Sequence, residues 1–154
     1  MSGQRILRYA LGLMAGSLLL ATASQAATEV LIYRVPGVYD FSLFQRATAV
    51  HCTNYDSTAA TVRVKFRNEA GMIVSNVTAS ALPNGTVTFT TNDTEAYTET
   101  VVAASSRIEQ GTAIISATTR KIVCSANGMW TKGIYPAGLE LHMVRFNQAA
   151  GQSD

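Results

Sequence analysis

The side chains able to do chemistry in this chain are few and scattered. His51 and His142 are the only histidines. Both fall in strand-like segments, each in the phase opposite its strand's apolar residues, and neither is surrounded by His, Asp and Glu at metal-ligand spacing. Serines are plentiful, but none stands in a Gly-x-Ser-x-Gly elbow. Asp93, Glu95 and Glu99 form the one local group of acids. They lie in a polar loop and an edge-like segment, so they read as a solvated turn, and they lack the glycine-spaced ladder of a calcium loop. The pattern therefore assigns no catalytic, cofactor-binding or metal-binding residue, and it implies no cofactor.

The most suggestive segment is a Gly-, Pro- and aromatic-containing loop at residues 128–137. Trp130 is the only tryptophan, Tyr135 follows five positions later, and Lys132 stands between them. Two rings with a polar neighbour suit a sugar or peptide, because rings stack on apolar faces while the polar group fixes orientation. Trp130, Lys132 and Tyr135 are the candidate contact with a protein or carbohydrate at the cell surface. The competing expectation is that Trp130 plugs one end of the core. Tyr39, Phe41 and Phe44 make a second aromatic segment. The binding case strengthens if both segments meet at one end of the fold. Arg63, Lys65 and Arg67 form an outward basic row, read as a solvated face that discourages edge pairing.

The address of the protein comes from its N-terminal stretch. Arg5 and Arg8 precede an apolar run, Tyr9 to Ala23, and Ser24-Gln25-Ala26 places small residues where a signal peptidase reads them. The run is shorter than the ~20 residues of a spanning helix. Residues 1–26 read as a cleaved secretory signal, 27–147 as one domain and 148–154 as a flexible tail. Of 12 basic and 10 acidic residues, the signal takes two basic ones, so the mature chain carries ten of each. That neutrality removes any charge-based case for nucleic acid, and no second apolar stretch suggests membrane insertion after cleavage. A secreted or periplasmic address makes the two cysteines, Cys52 and Cys124, a disulfide pair. Asn76-Val77-Thr78 and Asn92-Asp93-Thr94 match the glycosylation sequon, a pattern common by chance.

The mature chain is rich in Thr, Ser, Val and Ala, and nearly every segment alternates with period two between turn residues. Glu29 to Val35 is a first strand ended by Pro36-Gly37. Arg46 to Asn54 and Val62 to Arg67 follow. In the latter Val62, Val64 and Phe66 oppose Arg63, Lys65 and Arg67. Met72 to Ala79, then Thr86 to Thr91 after Pro83-Asn84-Gly85, continue the series. Tyr97 to Ala103 is a strand or an irregular edge. Thr112 to Thr118 and Lys121 to Asn127 are joined by Thr119-Arg120, a connection short enough to imply a same-sheet hairpin. Gly138 to Asn147 is the last strand, with Leu139, Leu141 and Met143 facing inward. The predicted core is Val50, Val62, Val64, Phe66, Val87, Phe89, Ile122, Leu139 and Leu141, with the basic row exposed. Eight or nine short strands with turns every 8 to 12 residues predict an all-β fold, an antiparallel two-sheet sandwich with one inter-strand disulfide. A closed barrel is the second choice.

The layout resembles an immunoglobulin-like sandwich, in which two distant cysteines bridge the sheets. No Trp follows Cys52 on the next strand and no Tyr stands two residues before Cys124, so the resemblance covers architecture alone. Val50-His51-Cys52-Thr53-Asn54, Gln110-Gly111-Thr112-Ala113, Ile122-Val123-Cys124-Ser125-Ala126 and Arg145-Phe146-Asn147 resemble small exported bacterial β-proteins of uncharacterised function. This resemblance implies a fold and an address. The function expected is that of a non-enzymatic exported domain, acting by binding or as a structural part of the envelope or extracellular space. The alternatives are a surface-fibre subunit, with Glu29 to Val35 as a donor strand, and an extracytoplasmic hydrolase.

Overall fold

The computed structural model describes residues 28–103, 107–133 and 138–146. The signal segment 1–26, Tyr135 and the tail 148–154 lie outside the described residues. Among these residues there are ten strands: β1 Val30–Asp40, β2 Arg46–Asn54, β3 Ala60–Arg67, β4 Ile73–Ala81, β5 Thr86–Thr90, β6 Val101–Val102, β7 Ile108–Ala117, β8 Ile122–Trp130, β9 Gly138–Glu140 and β10 Val144–Arg145. They form two five-stranded sheets. Sheet A runs β10-β1-β7-β3-β4 and sheet B runs β6-β5-β2-β8-β9. All pairings are antiparallel except β5 with β6, which is parallel.

The core lies between the sheets and is built from the apolar phase of each strand. Val62, Val64 and Phe66 of β3 face Val50 of β2, Phe89 of β5 and Ile122 of β8 in one buried cluster. Each such side chain contributes about 1.5–3 kcal/mol by leaving water. The period-two alternation of β2 and β3 thus translates directly into burial. Thr48 and Asn54 share the inward phase of β2 and are also fully buried. Asn54 survives there because its amide nitrogen donates to the carbonyls of Thr58 and Ala81 at 2.8 and 3.0 Å, while its oxygen accepts from Asp56 N.

Several expectations are corrected by this arrangement. β1 continues through Pro36-Gly37 instead of ending there. Its register with β7 shifts between Pro36 and Val38, and Gly37 takes φ +77°, so the two breakers make a bulge in a strand that goes on. The same strand lies between β10 and β7, so the segment Glu29–Val35 is employed in the chain's own sheet. β7 and β8 are not a hairpin. They belong to different sheets, and Thr118–Lys121 is an arch carrying the chain across the core. Residues 128–130 are the end of β8 rather than loop.

The last strand is two. β9 pairs with β8 and β10 with β1, so residues 141–143 switch sheets and close one side of the sandwich. That break and the short β6 raise the strand number to ten. It also strands Leu139, which is 82% exposed; Leu141 and Val87 are half-buried rather than core. The basic row is half-buried rather than exposed. Arg63 Nε donates to both carboxylate oxygens of Glu29 at 2.9 and 2.8 Å, and Nη1 donates to Asn76 Oδ1. The Arg63 guanidinium holds the Glu29 carboxyl below its ordinary pKa.

Cys52 and Cys124 form a disulfide with Cα atoms 4.1 Å apart. They stand directly opposite one another on β2 and β8. The bridge therefore ties two neighbouring strands of one sheet, whereas the immunoglobulin-like bridge joins sheet to sheet. A disulfide points to an oxidising, extracytoplasmic environment. No helix among the described residues is long and apolar enough to cross a membrane.

Candidate functional site: an aromatic and arginine groove

Three loops meet at one end of the sandwich, and the hydrogen bonds between them explain how. The β1–β2 link, with a 3-10 turn at Ser42–Phe44, is pinned by Phe41 N donating to Arg46 O at 3.0 Å. Gln45, with φ +53°, turns the chain into β2, and its carbonyl accepts from Thr131 N at 2.7 Å. The segment 92–100 braces residues 131–133 from the other side. Glu95 N donates to Thr131 O, and a Glu95 carboxylate oxygen accepts from Gly133 N. The two aromatic segments singled out in the sequence are thus brought to the same end.

The side chains there follow from strand phase. Arg46 and Trp130 are register partners on β2 and β8. Both occupy the phase that is core elsewhere on their strands, but they sit at its open end. Tyr39 reaches them from β1 across the gap. Its backbone is held by two buried threonines. Tyr39 N donates to Thr48 Oγ1 at 2.8 Å, and the Thr48 and Thr91 hydroxyls donate to Tyr39 O at 3.1 and 3.0 Å. The Arg46 guanidinium lies 4.9 Å from the Trp130 ring centroid and 5.9 Å from that of Tyr39. Both are cation–π distances. Trp130 is 45% exposed, which a plug sealed into the core would not be. The ring series continues through Phe41 to Phe44, the last pair edge-to-face at 4.5 Å, and Arg107 covers Phe41 at 3.8 Å.

Beside this stack the interior of the sandwich opens into a groove of about 500 Å³, lined by Tyr39, Arg46, Ala47, Gly128, Met129, Trp130, Gly138, Leu139 and Leu141. Gly128 pairs with Leu139 and Met129 with Gly138. A Cβ on Gly138 would collide with the Gly128 carbonyl, so glycine is needed for β9 to lie against β8. Leu139 shares the inward phase of Gly128, yet among the described residues it is left exposed.

No family model, curated protein or solved structure matches the chain.

Of the three predicted contact residues, Trp130 lies in the groove wall. Lys132 is exposed two residues beyond it, with no hydrogen bond or ion pair among the described residues, and Tyr135 lies outside them. Sequence reasoning missed Arg46, which reads there as the polar first residue of a strand. The cross-strand pairing that puts it on Trp130 has no local signature.

The other candidates are dispersed. His51 sits on the outer face of sheet B, edge-on to Tyr97 at 4.8 Å and hydrogen-bonded through Nδ1 to Thr88 at 3.0 Å. Burial pushes its pKa down, opposed by a hydrogen bond to Asn127. His142 lies exposed in the β9–β10 link beside a second depression that also includes Cys124, Ser125 and Glu140. Among the described residues no three His, Cys, Asp or Glu side chains gather to hold a metal ion. Asp93 and Glu95 are engaged in loop hydrogen bonds, to Thr94 N and Gly133 N.

Proposed function

We propose that the chain is an exported, non-enzymatic binding domain of the immunoglobulin-like kind, acting in the cell envelope or extracellular space on a protein or carbohydrate partner. The address rests on the signal-like segment 1–26 and the disulfide. The observation that carries the binding reading is the half-exposed Trp130, stacked with Arg46 and Tyr39 at the mouth of an apolar groove. Lys132, exposed two residues beyond Trp130, extends the contact. Exposed Leu43, Phe44 and Leu139 surround it with apolar surface, the kind of patch that marks interaction sites. Aromatic and arginine anchors carry most of the energy of such contacts, about 2 kcal/mol or more each.

The test is Trp130→Ala in the mature domain, assayed on a glycan array and by capture from an envelope extract. Loss of at least roughly 30-fold in affinity, with the melting temperature held within a few degrees, is the expected result. Binding that survives the substitution refutes the reading. So does collapse of the fold, which would make Trp130 a structural residue.

A further inference from the structure

Three surfaces compete for a more specific reading. One is the outer face of sheet A, where Arg34, Lys65 and Arg67 lie around Ile114. Its most prominent cation, Arg63, is already neutralised by Glu29. Another is the free edge of β4, nine residues long and without charge or proline, but nothing fixes its occupant. The groove at the other end carries more, because it shows both a shape and an unanswered charge.

Among the described residues, Arg46 is the only charged one lining the groove. Its faces are directed at two rings, and among the described residues its N–H groups meet no carboxylate. Stacking orients a guanidinium and leaves its planar fork of donors to match a carboxylate through two parallel hydrogen bonds. The wall beside it is apolar, from Leu139 and Leu141. The rim is β9, an edge strand: among the described residues it pairs with β8 alone. A strand edge offers unpaired N–H and C=O groups to an extended chain. A sugar would leave those apolar walls unmatched, and a simple fatty acid would leave the strand edge unused. Resting on the binding reading above, we infer that the groove captures the C-terminal end of a partner polypeptide. The terminal carboxylate sits on Arg46, an apolar last side chain lies against Leu139 and Leu141, and the residues before it leave the groove past the edge of β9.

Trp130, as the only tryptophan, makes its fluorescence a reporter of this site alone. The experiment titrates the mature domain with acetylated tetrapeptide pools ending in Val, Leu, Ile or Phe. Each pool is used as the free acid and as the C-terminal amide, with dodecanoate and cellopentaose as the competing chemistries. At least one free-acid pool should shift Trp130 emission saturably and bind ten-fold or more tighter than its amide. Arg46→Gln should abolish that preference. Arg46→Lys should keep part of it, because the charge remains while the fork is lost. Leu139→Ala should weaken acid and amide alike.

Equal binding of acid and amide overturns the inference, as does an Arg46→Gln protein that still discriminates. Tighter binding of dodecanoate or cellopentaose than of any peptide also overturns it. If no peptide binds while Trp130-dependent capture of another partner persists, the peptide assignment falls and the binding reading stands. If Arg46→Gln does not fold, the acid-to-amide ratio on the wild-type and Arg46→Lys proteins decides.

Discussion

Removing the Cys52–Cys124 bridge should lower stability without altering the fold. The two strands it joins are already paired through nine residue pairs, from Arg46–Trp130 to Asn54–Ile122, so the folded state has little to rearrange. The effect falls on the unfolded chain, which loses a closed loop spanning a sequence separation of 72. Chain entropy for a loop of that length is worth about 4 kcal/mol at 25 °C. For a domain of this size each kcal/mol moves the melting temperature by roughly 4 °C, so the drop should be about 15 °C. Cys52 is fully buried and packs in the core, so alanine is the substitution to use; serine would add an unsatisfied hydroxyl. The assay is thermal unfolding by circular dichroism of wild type, wild type with reductant, Cys52→Ala and Cys52→Ala/Cys124→Ala. The last three should fall together, with far-ultraviolet spectra unchanged before the transition. A drop of less than about 3 °C on reduction would show that the entropic reasoning fails here. A double variant that melts well below the reduced wild type would mean that sulfur packing outweighs the crosslink.

Two further predictions concern acid. Glu29 has a folded-state pKa below its ordinary value because Arg63 hydrogen-bonds its charged form, so it stabilises the fold above about pH 4.5. That contribution is lost as the pH falls through the lower folded value. The pair is partly exposed, so the effect is at most about 1 kcal/mol, and Glu29→Gln should flatten the melting temperature below pH 4.5. Burial lowers the pKa of His51 below its ordinary value. The folded protein then binds fewer protons than the unfolded chain, and stability falls as the pH drops below about 6.5. His51→Gln should reduce the slope below about pH 6.5, and a slope that persists unchanged would assign it elsewhere.

The parts of this fold readable from sequence are those governed by local alternation. β2 begins and ends at the residues its pattern predicts, and Val62, Val64 and Phe66 are buried because a half-buried strand must send every second side chain inward. Sheet membership is different. Thr119-Arg120 has the length of a hairpin turn, but an arch between sheets needs no more chain, and the choice rests on which strands are free to pair. Leu139 misled for a related reason: its phase points inward, but phase says nothing about whether another sheet stands opposite. Thr48 and Asn54 were invisible as core because their burial depends on partners from distant loops. At the site, the aromatic residues advertise themselves by type. Arg46 acquires its role only through its register with Trp130, a long-range pairing.

The position of the disulfide also bears on how the protein would respond to being pulled. The bridge encloses β3 through β7, whereas β1, β9 and β10 lie outside it. β10 is laid against β1, so tension applied through the two ends of the chain peels these strands first. The unravelling stops where β2 and β8 are covalently joined. About 250 Å of contour, at ~3.5 Å per residue over the enclosed loop, stays hidden until the bridge is reduced. In the oxidised state the domain is a short tether with a locked middle, and a reductant turns it into a long one.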